Sequence, residues 1–104
     1  MANYLVSKKA IDDLSDIWKY TFDKWSVKQA DQYYNQIIKA FESLSINPSL
    51  GKIYFQSDVL IKGYKVRRHI IFYCFSKENN LLIIRILHEK MDVKNHITTG
   101  FDHD

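Results

Sequence analysis

Apolar positions recur along the first half of the chain in steps of three and four. Ala10, Ile11, Leu14, Ile17, Trp18 and Phe22 fall on one wide helical face. Ser7 stands ahead of them as an N-cap, and Asp12, Asp13 and Asp16 sit toward the end where the helix dipole favours negative charge. The pattern stops near DKWS. There SVKQ, Ser26 to Gln29, reads as a capping box, with a serine oxygen for an orphan amide and a glutamine reaching back. A second face follows at Ala30, Tyr33/Tyr34, Ile37, Phe41 and Leu44. It closes at Asn47-Pro48, because the proline ring disfavours helical geometry in the residue before it. Two apolar-faced helices joined by a few residues form an αα-hairpin that must cover something.

The second half of the chain supplies the cover. NYLVS, Asn3 to Ser7, is a short N-terminal strand candidate. NPSLGK leads through IYFQSD to three more: VLIKGYKV (Val59 to Val66), HIIFYCF (His69 to Phe75) and LLIIRILH (Leu81 to His88). Arg67-Arg68 makes a tight connection between the first two, and KENN, Lys77 to Asn80, a polar turn before the last. The last two strands hold few polar residues, which predicts central places in an antiparallel sheet with helices on one face. EKMDVKNHI is read as a short closing helix and TTGFDHD as a tail. The expectation is one α+β domain over residues 1–96, in the order β-α-α-β-β-β, with a tail over 97–104.

Composition narrows the class. At 104 residues, 46% hydrophobic and 14% aromatic, the chain has the size and content of one compact domain. No apolar run approaches the roughly 20 residues of a membrane span, and MANYLVSKKAIDD lacks the apolar core and small-residue site of a signal peptide. One cysteine, Cys74, excludes an internal disulfide framework and suits a reducing cytoplasm, where a thiol in an apolar strand is a small buried hydrophobe. The net charge of +3 permits an anionic partner without identifying one.

Four groups of residues invite chemistry. The first is IIRILHEKMD, Ile83 to Asp92, a strand running into an acid–base cluster. Cleaving a phosphodiester takes a cation beside an acid or base on one face, which would have to come from Lys65, Tyr73, Arg85 and His88. Strand alternation argues against it: Arg85 and Leu87 share a side opposite Ile84, Ile86 and His88, so Arg85 and His88 diverge unless a bulge intervenes. The plainer reading has Arg85 snorkelling from the sheet, His88 as the strand's polar end, and Glu89 and Lys90 as exposed charges.

The second group, His96, Asp102, His103 and Asp104, matches no metal-ligand spacing and reads as tail. The third is aromatic: Trp18, Phe22 and Trp25 with Tyr33 and Tyr34 suggest a base-stacking platform. At helical spacing they are expected in the core instead, with one of Tyr33/Tyr34 meeting solvent or a partner. The fourth is basic. KGYKVRRH, Lys62 to His69, carries four cations in its first seven positions and reads either as a solvated hairpin or as a docking surface for an acidic or nucleic-acid partner.

This order of elements, together with NPSLGK, RRHIIFY and IIRILHEKMD, resembles the ParE branch of the RelE/ParE toxin family from Tyr4 to about Asp92. In register with HIIFY, Arg67 takes the position of a common family glycine and Lys62 that of an early arginine. If that turn demands positive φ an arginine strains it, and a type I or longer turn is the alternative. The resemblance implies a cytoplasmic toxin of a plasmid-stabilising type II toxin–antitoxin pair, which poisons DNA gyrase and is neutralised when the C-terminal segment of a cognate antitoxin wraps it. It implies no cofactor, no metal, and contact with operator DNA only through the antitoxin; homodimerisation is left open. The residues it suggests for target contact are Lys62, Lys65, Arg67, Arg68 and His88. The related RelE branch cuts ribosome-bound mRNA, so an endonuclease is the alternative activity. A module that only binds its antitoxin is the third.

Overall fold

A computed structural model describes residues 4–56 and 59–91. The chain runs β1 (Tyr4–Val6), α1 (Lys8–Lys24), α2 (Val27–Ile46), a 3-10 turn (Pro48–Leu50), β2 (Lys52–Gln56), β3 (Leu60–Val66), β4 (His69–Phe75) and β5 (Leu81–His88). Both serine caps form. The Ser7 hydroxyl accepts from the Ala10 amide and that of Ser26 from the Gln29 amide, each at 3.1 Å, which satisfies orphan donors of the first turns.

The strands form one five-stranded sheet in the order β1-β5-β4-β3-β2. The two most apolar strands, β4 and β5, are internal, as their composition requires. From β2 to β5 every pairing is antiparallel, but β1 runs parallel to β5, so the sheet is mixed. The two-helix crossover returns the chain so that β2 runs opposite to β1, and the three later reversals then leave β5 pointing with β1. The sheet also holds one strand more than the periodicity shows. β2 carries a register shift between Ile53 and Phe55 that breaks the alternation a sequence pattern needs.

The helical hairpin packs one sheet face through Ala10, Leu14, Ile17, Ile37, Ala40, Phe41 and Leu44, against Ile71, Tyr73, Leu81, Ile83 and Ile86. Fully burying one such Ile, Leu or Phe contributes about 1.5–3 kcal/mol. Ile61, Ile70, Phe72 and Leu87 form a second cluster on the opposite face. The buried stripe of α1 is narrower than expected: Ala10, Leu14, Ile17 and Thr21. Ile11, Phe22 and Trp25 are exposed, so the aromatic series is not core. Ile11 and Phe22 lie one step off the stripe, on the flank where the Trp18 indole stacks on Phe22 and donates to Asp31 on α2, and Trp25 is the C-cap beyond the helix. Of the tyrosine pair, Tyr34 meets solvent and Tyr33 packs inward.

Tyr73 anchors the crossover. Its hydroxyl donates to the Pro48 carbonyl at 2.7 Å and accepts from the Gly51 amide at 3.0 Å. A β-carbon on Gly51 would meet the Tyr73 ring at 2.8 Å and the Gly63 carbonyl at 2.9 Å, so glycine is required by space. Asn3, most of the closing helix read over EKMDVKNHI, the tail, and His96, Asp102, His103 and Asp104 lie outside the described residues. Among the described residues no helix is long and apolar enough to cross a membrane.

Candidate functional site

Between β4 and β5 the register changes once. Phe75, Cys74 and Tyr73 oppose Leu81, Leu82 and Ile83, whereas Phe72 opposes Arg85, so Ile84 is an extra residue in β5. This bulge decides what the far end of the strand presents. It puts Ile84 with the second cluster and Ile86 with the helix-side core, so these two isoleucines do not share a side as strict alternation predicts. It also moves His88, instead of Leu87, opposite His69.

β1 ends at Val6, and beyond it side chains of α1 take over the open edge of β5. Ser7 donates its amide to the Ile83 carbonyl at 2.9 Å and its hydroxyl to the Ile84 carbonyl at 2.8 Å. Asp13 Oδ2 accepts the Ile86 amide at 2.9 Å and Arg85 Nε at 2.9 Å, while Oδ1 accepts Arg85 Nη2 at 3.1 Å. Arg85 therefore does not snorkel. It is clamped bidentately in a pair whose side chains are 17% and 12% exposed.

A cleft of about 870 Å³ opens where the helical hairpin, the β3–β4 turn and the end of β5 meet. Its floor is a cluster of Tyr33, His69 and His88. Tyr33 Oη lies 2.6 Å from His69 Nδ1 and 3.1 Å from the Val66 carbonyl, and the two imidazoles meet edge to face at 5.3 Å. Burial, reinforced by the neighbouring His88, pushes His69 down to about 4, so its ring is neutral near pH 7. Burial raises Tyr33, which keeps the phenol protonated. His88 Nδ1 accepts the Lys90 amide at 3.1 Å, which fixes its ring above the exit of β5.

Arg67 and Arg68 form the cleft's basic lip. Val66 pairs with His69, so the turn between them has two residues, and Arg67 takes φ 54°. Positive φ at the first central residue and not at the second is the sign pattern of a type II′ turn; the type I or longer alternative is not adopted. An arginine there is strained by about 1–2 kcal/mol relative to right-handed geometry. Its guanidinium lies 5.6 Å from the centre of the Tyr33 ring, within cation–π range.

The four residues of the endonuclease reading do not converge. Arg85 is held by Asp13 and does not line the cleft. Tyr73 is fully buried and spent on Pro48 and Gly51, four residues (roughly 13 Å) along β4 from His69. Lys65 pairs with Glu89 at 2.7 Å and falls, with its partner Ile70, on the face opposite the cleft. Only His88 is in place. Of the residues suggested for target contact, Arg67, Arg68 and His88 line the cleft together; Lys62, opposite Tyr73, sits mid-strand in phase with Tyr64 and Val66. Tyr33, read as one of the helical aromatics, and His69, read as the end of the basic stretch, are the site members that sequence reasoning did not bring together. Burial pushes the Cys74 thiol up, in keeping with a small hydrophobe. No group of three metal-ligating side chains occurs among the described residues.

A family model described as the ParE toxin of the type II toxin–antitoxin system parDE matches residues 4–93. A protein named Toxin ParE1 from Mycobacterium tuberculosis is 32% identical over 99 residues, covering 92% of this chain and 98% of its own. Another Toxin ParE1, from Caulobacter vibrioides, is 31% identical over 100 residues, covering 93% and 99%. A solved structure described as the chromosomal ParDE TA system from P. aeruginosa shares the fold, with a TM-score of 0.71 over 85% of this chain and 96% of that one, at 14% identity.

Proposed function

Because this chain belongs to the ParE toxins of type II toxin–antitoxin systems, we propose that it acts in the cytoplasm by binding and poisoning DNA gyrase, and that a cognate antitoxin segment silences it. The observation that carries this reading is the Asp13–Arg85 clamp. It withdraws the arginine of β5 from phosphate chemistry, while Arg67 and Arg68 are exposed at the turn. A guanidinium whose Nε and Nη2 are held by a carboxylate has its fork committed and its field offset, which leaves it poorly placed to stabilise a pentacoordinate phosphate. A strained arginine on a solvent-facing turn is suited to contact with a partner.

The antitoxin reading is supported by the sheet's edges. β1 pairs on one side only and its Leu5 is exposed, which suits an added strand or an amphipathic segment. Gyrase supercoiling and ribosome-bound mRNA, each exposed to the purified protein, are the test. Loss of supercoiling with intact mRNA is expected; cut mRNA with working gyrase makes the protein an endonuclease, and inactivity in both with retained antitoxin binding makes it an interaction module.

A further inference from the structure

The cleft's outer wall is aromatic and nothing in the binding reading uses it. Trp25, 71% exposed, lines the same cleft as Arg67, Arg68 and Lys90, beside Tyr20, 62% exposed, whose ring carries the Lys24 ammonium 5.6 Å from its centre. Large apolar rings left in water at that level are unfavourable unless something covers them. Asp13, paired with Arg85, and Asp16 are the two carboxylates among the cleft's described lining, against four cationic side chains. The floor adds a neutral imidazole, His69, with its Nδ1 engaged by Tyr33 and its second nitrogen left to meet a hydrogen-bonding edge.

We infer that this cleft binds single-stranded nucleic acid, with a base stacked on Trp25 and Tyr20 and the backbone phosphates on Arg67, Arg68 and Lys90. The pairing of a sequence-tolerant aromatic face with a cationic track is the physical requirement for such a ligand. Charge complementarity alone would also fit an acidic peptide. The exposed indole favours the nucleic acid, because every base offers a flat π-face and a run of acidic side chains offers none. Resting on the gyrase reading, the inference names what the cleft would hold there: a frayed or opened DNA segment.

The test uses the full chain and a fluorescein-labelled oligodeoxythymidylate of about ten nucleotides, read by anisotropy. Saturable binding is expected, with an affinity that falls with salt at a slope of roughly −0.7 per phosphate contacted. Trp25→Ala should weaken it about fivefold or more, the loss of one stacked base, and Trp25→Phe should restore most of it. Arg67→Glu/Arg68→Glu should weaken it further and flatten the salt slope. Absence of binding at low salt overturns the inference, as does binding that Trp25→Ala leaves unchanged. It is also overturned if an oligoglutamate of equal charge binds as well and is equally indifferent to Trp25. A chain that binds no oligonucleotide yet still poisons gyrase removes this inference alone; one that binds it and spares gyrase removes the gyrase reading alone.

Discussion

Asp13 and Arg85, 72 residues apart, form a fork in which both carboxylate oxygens meet the guanidinium and one of them also accepts the backbone amide of Ile86. The pair joins the helical hairpin to β5 at the point where β1 has ended. One clamp therefore closes an exposed sheet edge and removes the strand's only arginine from chemistry.

Removing Asp13 strands a half-buried cation and a backbone amide together. Asp13→Ala should destabilise the protein by about 2–3 kcal/mol, below the range for deeply buried pairs because both groups keep some water. Replacing both partners (Asp13→Ala with Arg85→Met) should cost about 1 kcal/mol less than the sum of the single changes. Urea unfolding of the four-member cycle measures this coupling. Simple additivity would mean that the fork contributes nothing.

Arg67 is held at a φ that glycine adopts freely. Arg67→Gly should stabilise the fold by about 0.5–1 kcal/mol, the relieved strain less glycine's greater freedom in the unfolded chain. That corresponds to a rise of roughly 3 °C in melting temperature. The same change should weaken gyrase poisoning. A variant both less stable and fully toxic would refute the idea that strain here serves contact.

Tyr73 separates architecture from catalysis. Tyr73→Phe leaves the Gly51 amide and the Pro48 carbonyl without the hydroxyl between them, at a cost of about 1–2 kcal/mol. Toxicity per folded molecule should not change. A variant that folds as wild type but loses activity would return Tyr73 to the chemistry.

His69 makes stability depend on pH. Its folded value is depressed from 6.5 to about 4, with Tyr33, His88, Asp13 and Glu89 as its titratable neighbours. Between those two values the unfolded chain binds the proton and the folded one refuses it, so stability falls as pH drops from about 6.5 and levels off below about 4. Discounted for the ring's partial exposure, the loss from pH 7 to pH 5 is about 1 kcal/mol. His69→Gln should show a correspondingly shallower decline in urea midpoint across that interval; an identical decline would place the titration elsewhere.

The two helices, their serine caps, and the bounds of β4 and β5 could be read from local periodicity, because each rests on residues near in sequence. The site could not. One bulged residue, Ile84, sets His88 across from His69, and nothing in a continuous apolar run marks where an extra residue will sit. Asp13 reads as a dipole-favoured helix charge, since its partner comes from the other end of the chain. Trp25 reads as core because its spacing fits the helix, but α1 ends at Lys24 and leaves it as an exposed C-cap. The basic turn was legible as charge. Only its backbone angle shows that Arg67 is held there at a cost.

The central claim is that the protein acts through its basic lip as a binder. Trapping of the gyrase–DNA cleavage complex by wild type and by Arg67→Glu/Arg68→Glu, with thermal melts of both, tests it most directly. The account predicts that wild type traps the complex and the reversed protein does not, while the two melt within a few degrees of each other. Undiminished trapping by the folded, charge-reversed protein would contradict it.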